Sequence, residues 1–309
     1  MPTLKEIKGR IASVQNTLKI TSAMKLVSSA KLRKAQTAIE NMRPYEQKLQ
    51  EILSLATDSG NDSPKLSLRD PVRANSFGES SPESTEVKKN NTVIVAMASN
   101  SSLCGGFNAN AIAKVKAVLK EYPGATVYSI GRKMADAMRK AGYPSPKDFT
   151  TLSEHPSYGP VSDLVDKFLD DDSNVILVYN HFVSTGKQVP VAEVLLSSVN
   201  HDTPSVNPGA SSVILSESEE SPSALTDVIV EPSKKALLEA LYPKTLKIKL
   251  FAALLDSAAA EHAARTVAMQ TATDNGEDLL AELTLQYNKG RQQKITNEIL
   301  DLAGGRVEQ

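Results

Sequence analysis

The sequence predicts an α/β protein in which a long antiparallel coiled coil of N- and C-terminal helices carries a central α/β domain. Three observations predict it. An apolar repeat of 3.5 residues runs from Leu4 to Ala56. Strand and helix patterns alternate between residues 92 and 199. A second long helical segment, from about 233 to 302, presents small inner residues that let another helix come close.

The first helix opens at Thr3-Leu4-Lys5-Glu6, a capping box behind Pro2. Its 3,4-spaced positions are Leu4, Ile7, Ile11, Val14, Leu18, Thr21, Lys25, Ser28, Leu32, Ala35, Ile39, Met42, Glu46, Leu49, Leu53 and Ala56. Thr21, Lys25 and Ser28 interrupt the apolar seam, which is expected to slide there by one residue to Ile20, Met24 and Val27. Pro44 implies a mild kink. Residues 57–91 are Ser-, Asn- and Pro-rich, lose all periodicity and read as a flexible linker.

TVIVAMA (92–98) is a buried-strand pattern, followed by a Gly-containing turn and a helix over 109–122. ATVYSIG (125–131) reads as a second strand, RKMADAMRKAG and VSDLVDKFL as helices, and 174–183 and 189–199 as further strands. This alternation predicts a Rossmann-like domain over 92–231 with a largely parallel sheet, closing on a last strand at TDVIVEP. The C-terminal helix is expected to break at Pro243. Its inner positions Ala252, Ala253, Ala258 to Ala260, Ala263, Ala264, Ala268 and Ala272 are small. The domains are therefore 1–56, 57–91, 92–231 and 232–309, the first and last forming an antiparallel two-helix stalk.

Composition excludes several roles. No apolar run approaches the ~18–20 residues of a membrane span, and no charged-then-apolar leader precedes Leu4, so no signal peptide is expected. Cys104 is the single cysteine, which rules out an internal disulfide and a multi-Cys metal site. His155, His181, His201 and His262 lack metal-ligand spacing, and no nucleophile–base set stands out, so no catalytic residue, metal or cofactor is expected. Glu261 and Arg265 read as an intrahelical i,i+4 pair, and His262 as a partly buried helix residue.

Charge is uneven. The net charge is −1, yet residues 1–50 hold ten Lys/Arg against three Asp/Glu, a net of +7, and the remainder therefore sums to −8. No carboxylate lies between Glu6 and Glu40. A basic helix points to an acidic partner. Nucleic acid fits that charge, but Tyr45 is the only aromatic of the first 50 residues. SLCGGFNAN (102–110) lies between a strand and a helix, where phosphate loops lie. It matches neither G-x-G-x-x-G nor a P-loop, and a structural turn is the simpler reading.

ITSAMKLVSSAKLRKAQ (20–36) resembles the N-terminal signature of the γ subunit of F-type ATP synthases. The run from Glu261 to Leu302 is similar to that family's C-terminal signature, through Arg265, Met269, Asn275, Asn288, Arg291, Gln292, Ile295, Thr296 and Glu298. Leu103, Cys104, Gly105, Gly106, Phe107 and Asn108 resemble its central motif. Where the family usually has an acidic–basic–Gly triplet, this chain has Asn100-Ser101-Ser102. With Cys104 alone it lacks the regulatory Cys pair of plastid members.

The resemblance implies a central rotor shaft without catalytic residues of its own. It implies α and β subunits (an α3β3 hexamer), an ε subunit and a c-ring as partners, and no nucleic acid. It implies that Met24, Lys25, Arg265, Gln292, Thr296 and Glu298 meet the hexamer; Ile295, Ile299 and Leu302, by their helical spacing, are expected to seat the shaft on the N-terminal helix. The implied location is the cytoplasmic face of a bacterial inner membrane, or the matrix face of the mitochondrial one, reached through the c-ring.

Overall fold

The computed structural model describes residues 3–57, 92–171, 173–196 and 233–304. The linker beyond Thr57, the loop and acidic turn near 200–221 and the strand expected at TDVIVEP lie outside these residues.

Helix α1 (Leu4–Thr57) begins at the expected capping box. The Glu6 backbone N–H donates to Thr3 Oγ1 at 3.3 Å, and the Thr3 N–H donates to Glu6 Oε2 at 2.9 Å. Both satisfy amides that a helix start leaves orphaned. The helix passes through Pro44 without interruption.

Four strands follow: β1 (Thr92–Met97), β2 (Thr126–Ile130), β3 (Asn174–Ser184) and β4 (Lys187–Leu196). Their order in the sheet is β2-β1-β3-β4. β1 runs parallel to both β2 and β3, whereas β3 and β4 form an antiparallel hairpin, so the sheet is mixed. Helices α2 (Phe107–Glu121) and α3 (Arg132–Lys140) cover one face of the sheet. The short α4 (Thr150–Glu154), α5 (Tyr158–Asp170) and the first half of α6 (Lys234–Gly304) cover the other. Such a three-layer stack buries both sheet faces, which is why β1 is buried throughout and apolar after Thr92.

The expected break at Pro243 is corrected: α6 is one helix of 71 residues. Proline removes a backbone donor and crowds the preceding turn, at about 3 kcal/mol in a helix interior. Here the neighbours resist the break, because Tyr242, Leu246, Leu250 and Leu254 all pack into the sheet core.

Beyond the sheet, α6 pairs antiparallel with α1. Gly276 faces Leu18, Gly290 faces Leu4, and Thr273 Oγ1 lies 3.1 Å from Thr21 Oγ1. The 3.5-residue seam of α1 holds without a slip, since every position from Leu4 to Leu53 in that series is buried or half-buried. The expected slide is corrected: Ile20 is 61% and Val27 57% exposed, while Ser28 is only 3% exposed. Small residues on the seam let the backbones close, as where Leu32 lies on Ala259 and Ala263. A seam through Ile20 and Val27 would hold the helices apart.

Ile295, Ile299 and Leu302 are also corrected. They are exposed, Leu302 by 77%, because α1 starts opposite Gly290 and α6 continues fourteen residues past that point. Nothing among the described residues lies alongside that extension for these side chains to seat on. No helix among the described residues is long and apolar enough to cross a membrane.

Candidate functional site

Three regions carry the residues singled out from sequence: the waist of the stalk, its tip, and the turn after β1. At the waist, Met24 and Lys25 are half-buried on α1, while Ile20, Leu26 and Val27 point outward among the exposed Lys19, Lys31, Arg33 and Lys34. The outer surface is thus mixed, with apolar knobs set among long cationic stems, rather than purely basic. No carboxylate of α1 lies on this stretch.

The tip carries Gln292, Thr296 and Glu298, all exposed. Thr296 Oγ1 donates to the Gln292 carbonyl at 2.9 Å, so its hydroxyl retains only acceptor capacity. Lys294 lies 3.6 Å from Glu298 across one helical turn. At that exposure the pair adds little stability.

The turn is a plug, not a cradle. Cys104 and Phe107 are buried against Ala260 and Ala264 of α6 and against Phe182 of β3. Asn108 cross-braces the turn: its Oδ1 accepts the Ser99 N–H at 3.1 Å, and its Nδ2 lies 3.1 Å from Cys104 Sγ. Gly105 takes a positive φ of 57°, and so does Leu103 at 67°. That conformation is unusual for a bulky residue, and it turns the Leu103 side chain toward solvent. Gly106 precedes α2 and packs lightly on Asn110.

The intrahelical pair expected of Glu261 and Arg265 forms, and Arg265, which the resemblance implies meets the hexamer, is turned into the chain. It and Glu261 are each 8% exposed. Nη1 of Arg265 donates to Glu261 Oε1 at 2.7 Å, and Nη2 donates to Ser101 Oγ at 2.8 Å. A guanidinium can serve both because its donors form a planar fork. Burial raises the Glu261 carboxyl above its ordinary value, while Arg265 pulls it back down. Next door His262 is pushed down to about 4, by burial first and then by the positive charges of Arg265 and Lys31. Its Nδ1 has no hydrogen-bond partner among the described residues.

Sequence reasoning missed the polar joint between hairpin and stalk. Asp256 of α6 bonds His181 Nδ1 through Oδ2 and accepts the Phe182 N–H at Oδ1, 3.1 Å away. Lys249 of α6 pairs with Glu193 of β4 at 2.6 Å. These residues are 56 to 75 positions apart in sequence, and no local pattern marks them. The one available signal was Glu46, a carboxylate on the apolar seam of α1. Burial raises its pKa, and Lys249 lowers it again.

The family model described as ATP synthase matches residues 3–307. The ATP synthase gamma chain of Phocaeicola vulgatus is 46% identical over 99% of this chain and 99% of its own length. That of Bacteroides thetaiotaomicron is 40% identical over the full length of both. Among solved structures, a chain of the Euglena gracilis mitochondrial ATP synthase OSCP/F1/c-ring assembly superposes with a TM-score of 0.63 at 18% identity, covering 98% of this chain and 93% of that one. A chain of the rotor of the same synthase gives 0.60 at 19%, covering 94% and 98%. At those identities the structures speak for the fold. The family model and the full-length relatives agree, and the chain belongs to the ATP synthase gamma chain family.

Proposed function

We propose that this chain is the central rotor shaft of an F-type ATP synthase, coupling ion flow through the c-ring to ATP synthesis or hydrolysis on the β subunits of an α3β3 hexamer. The observation that carries the reading is the stalk itself. Two helices close on each other through small residues, and the outer face of α1 offers exposed Lys19, Lys31, Arg33 and Lys34 with no carboxylate of α1 between Glu6 and Glu40. Cations on long stems attract an acidic collar without demanding one geometry, which suits a shaft that has to leave each position it visits.

In this reading the stalk enters the hexamer. Met24 and Lys25 at the waist, and Gln292, Thr296 and Glu298 at the tip, make contacts that form and break each turn. Arg265 is not among them, being occupied inside the chain. The α/β domain forms the foot, beside an ε subunit and the c-ring, at the cytoplasmic face of a bacterial inner membrane. The chain is non-catalytic. In front of α2, where a phosphate would sit, Cys104 and Phe107 pack onto α6.

Reconstitution tests this. Purified α and β subunits mixed with the chain are expected to give a complex that elutes as one species, hydrolyses ATP and rotates a bead on the α/β domain, while the chain alone hydrolyses nothing. ATP turnover by the pure chain, or a hexamer that neither binds it nor changes its rate with it, overturns the reading.

A further inference from the structure

The hairpin of β3 and β4 reaches from the sheet to the stalk, and α6 grips it twice. Lys249 pairs with Glu193 on β4, and Asp256 holds β3. The two are seven residues apart and so lie on one face of the helix. Asp256 spends both carboxylate oxygens on consecutive residues, Oδ2 on His181 Nδ1 and Oδ1 on the Phe182 N–H. That fixes where Phe182 goes. Its side chain packs against two apolar clusters, one of Cys104, Phe107, Ala260 and Ala264, the other of Leu32, Ala259 and Ala263. One side chain therefore bridges the cluster that the turn shares with α6 and the cluster that α1 shares with α6.

We propose that Phe182 is the wedge through which the α/β domain and the stalk turn as one body, and that Asp256 is the positioning residue that seats it, with a grip set by the charge on His181. The inference rests on the rotor reading for its consequence, but not for its geometry.

The surroundings decide the sign. Facing His181 are Asp256 of α6, Arg43 of α1 and Glu193 of β4, while Glu46 of α1, Tyr179 of β3 and Lys249 of α6 complete the cluster. The Asp256 hydrogen bond, the largest influence, raises the His181 pKa against the opposing effects of burial and Arg43. The charged form is thus fully present below the ordinary histidine value of about 6.5 and is lost as pH rises through the raised native value. The grip is firm below that ordinary value and slackens as pH rises through the raised native one.

The test has two arms. In the first, hydrogen exchange at the Phe182 amide of the full chain is measured from pH 6 to 9 and corrected for the intrinsic chemical rate. Asp256→Asn is expected to speed it at least about tenfold, as loss of a charge-assisted hydrogen bond implies. His181→Gln is expected to remove the pH dependence while the chain stays folded. In the second, the assembled synthase in vesicles is assayed for ATP-driven ion pumping relative to ATP hydrolysis. Asp256→Asn is expected to at least halve that ratio at pH 7. The wild-type ratio is expected to fall toward pH 9, and the His181→Gln ratio to stay level.

Wild-type protection at Phe182 in Asp256→Asn, or an unchanged pH profile in His181→Gln, overturns the seat. Lost protection with wild-type coupling overturns the wedge as the route of rotation. If Asp256→Asn does not assemble, His181→Gln alone decides both arms. A wild-type chain that fails to assemble with α and β subunits sinks the rotor reading and leaves the exchange arm standing.

Discussion

Leu18 and Gly276 meet across the stalk so closely that a Cβ on Gly276 would lie 2.7 Å from Leu18 Cδ2 and 3.2 Å from its Cγ. Gly276 therefore admits Leu18 as a knob. Gly290, the same fourteen residues along from Gly276 as Leu4 is from Leu18, leaves 3.2 Å, and Gly9 faces open space. Gly9→Ala is expected to stabilise the chain by about 0.5–1 kcal/mol through helix propensity. Gly276→Ala should lose that gain to overpacking of ~1–3 kcal/mol. Gly290→Ala should be near neutral, because Leu4 sits at a helix end. Denaturant titration of the three variants checks the order, and equal gains from all three would contradict this register.

Removing the Arg265 guanidinium strands Glu261. Both side chains are about a tenth exposed, at 9% and 11%. Breaking one half of such a pair costs about 3–5 kcal/mol, more than the net worth of the pair itself. Arg265→Ala is expected to fall in that range, and Arg265→Met with Glu261→Leu to recover most of it. Arg265→Lys should also fail, since a single ammonium cannot span from Glu261 to Ser101. Urea unfolding of each variant measures this, and an Arg265→Ala chain as stable as the parent would refute the buried placement.

His262 sets an acid limit. Its native pKa is lowered to about 4, against an ordinary value of 6.5. Between those two values the unfolded chain takes up a proton that the native chain refuses. Stability is therefore expected to fall as pH drops from 6.5 to 4, and to be indifferent to His262 above 6.5. His262→Gln should flatten that part of the profile, read as thermal midpoint against pH. A parallel profile in the variant would place the acid sensitivity elsewhere.

At the tip, Gln292→Ala with Thr296→Ala should lower coupled ATP synthesis while the hexamer stays intact on a sizing column. Each lost contact should be worth near the ~1 kcal/mol net of an ordinary hydrogen bond. At the waist, Lys25→Glu should slow rotation without unfolding the shaft. Wild-type synthesis in the tip double variant, or wild-type ATP-driven pumping in Lys25→Glu, would make those side chains plain surface.

Much of the fold is legible in the sequence because it is periodic. The α1 seam can be counted off by threes and fours, and it holds even at Thr21 and Ser28, where large side chains are missing. Reading the seam as displaced to Ile20 and Val27 gave weight to size when the partner helix, with Ala259 and Ala263, favours closeness. The same partner seam continues through Met269, Thr273, Gly276, Leu280, Leu283, Tyr287 and Gly290, where glycine and threonine hide it. Pro243 misleads for a related reason: its local cost is visible, while the packing of Leu246 and Leu250 that offsets it is not. The joint at Asp256 is illegible because its partners come from a strand more than 70 residues away.

The fourteen residues of α6 beyond Gly290 have a mechanical consequence. They extend about 21 Å at 1.5 Å per residue as a single helix with no neighbour among the described residues. A lone helix resists twist and bending far less than two helices locked side by side, because stiffness climbs steeply with cross-section. Torque applied at the tip is therefore taken up first as elastic strain in this segment, while the doubled part below it behaves as a rigid rod. The molecule is built as a stiff axle ending in a soft spring, so a load that arrives in steps at one end can be smoothed before it reaches the other.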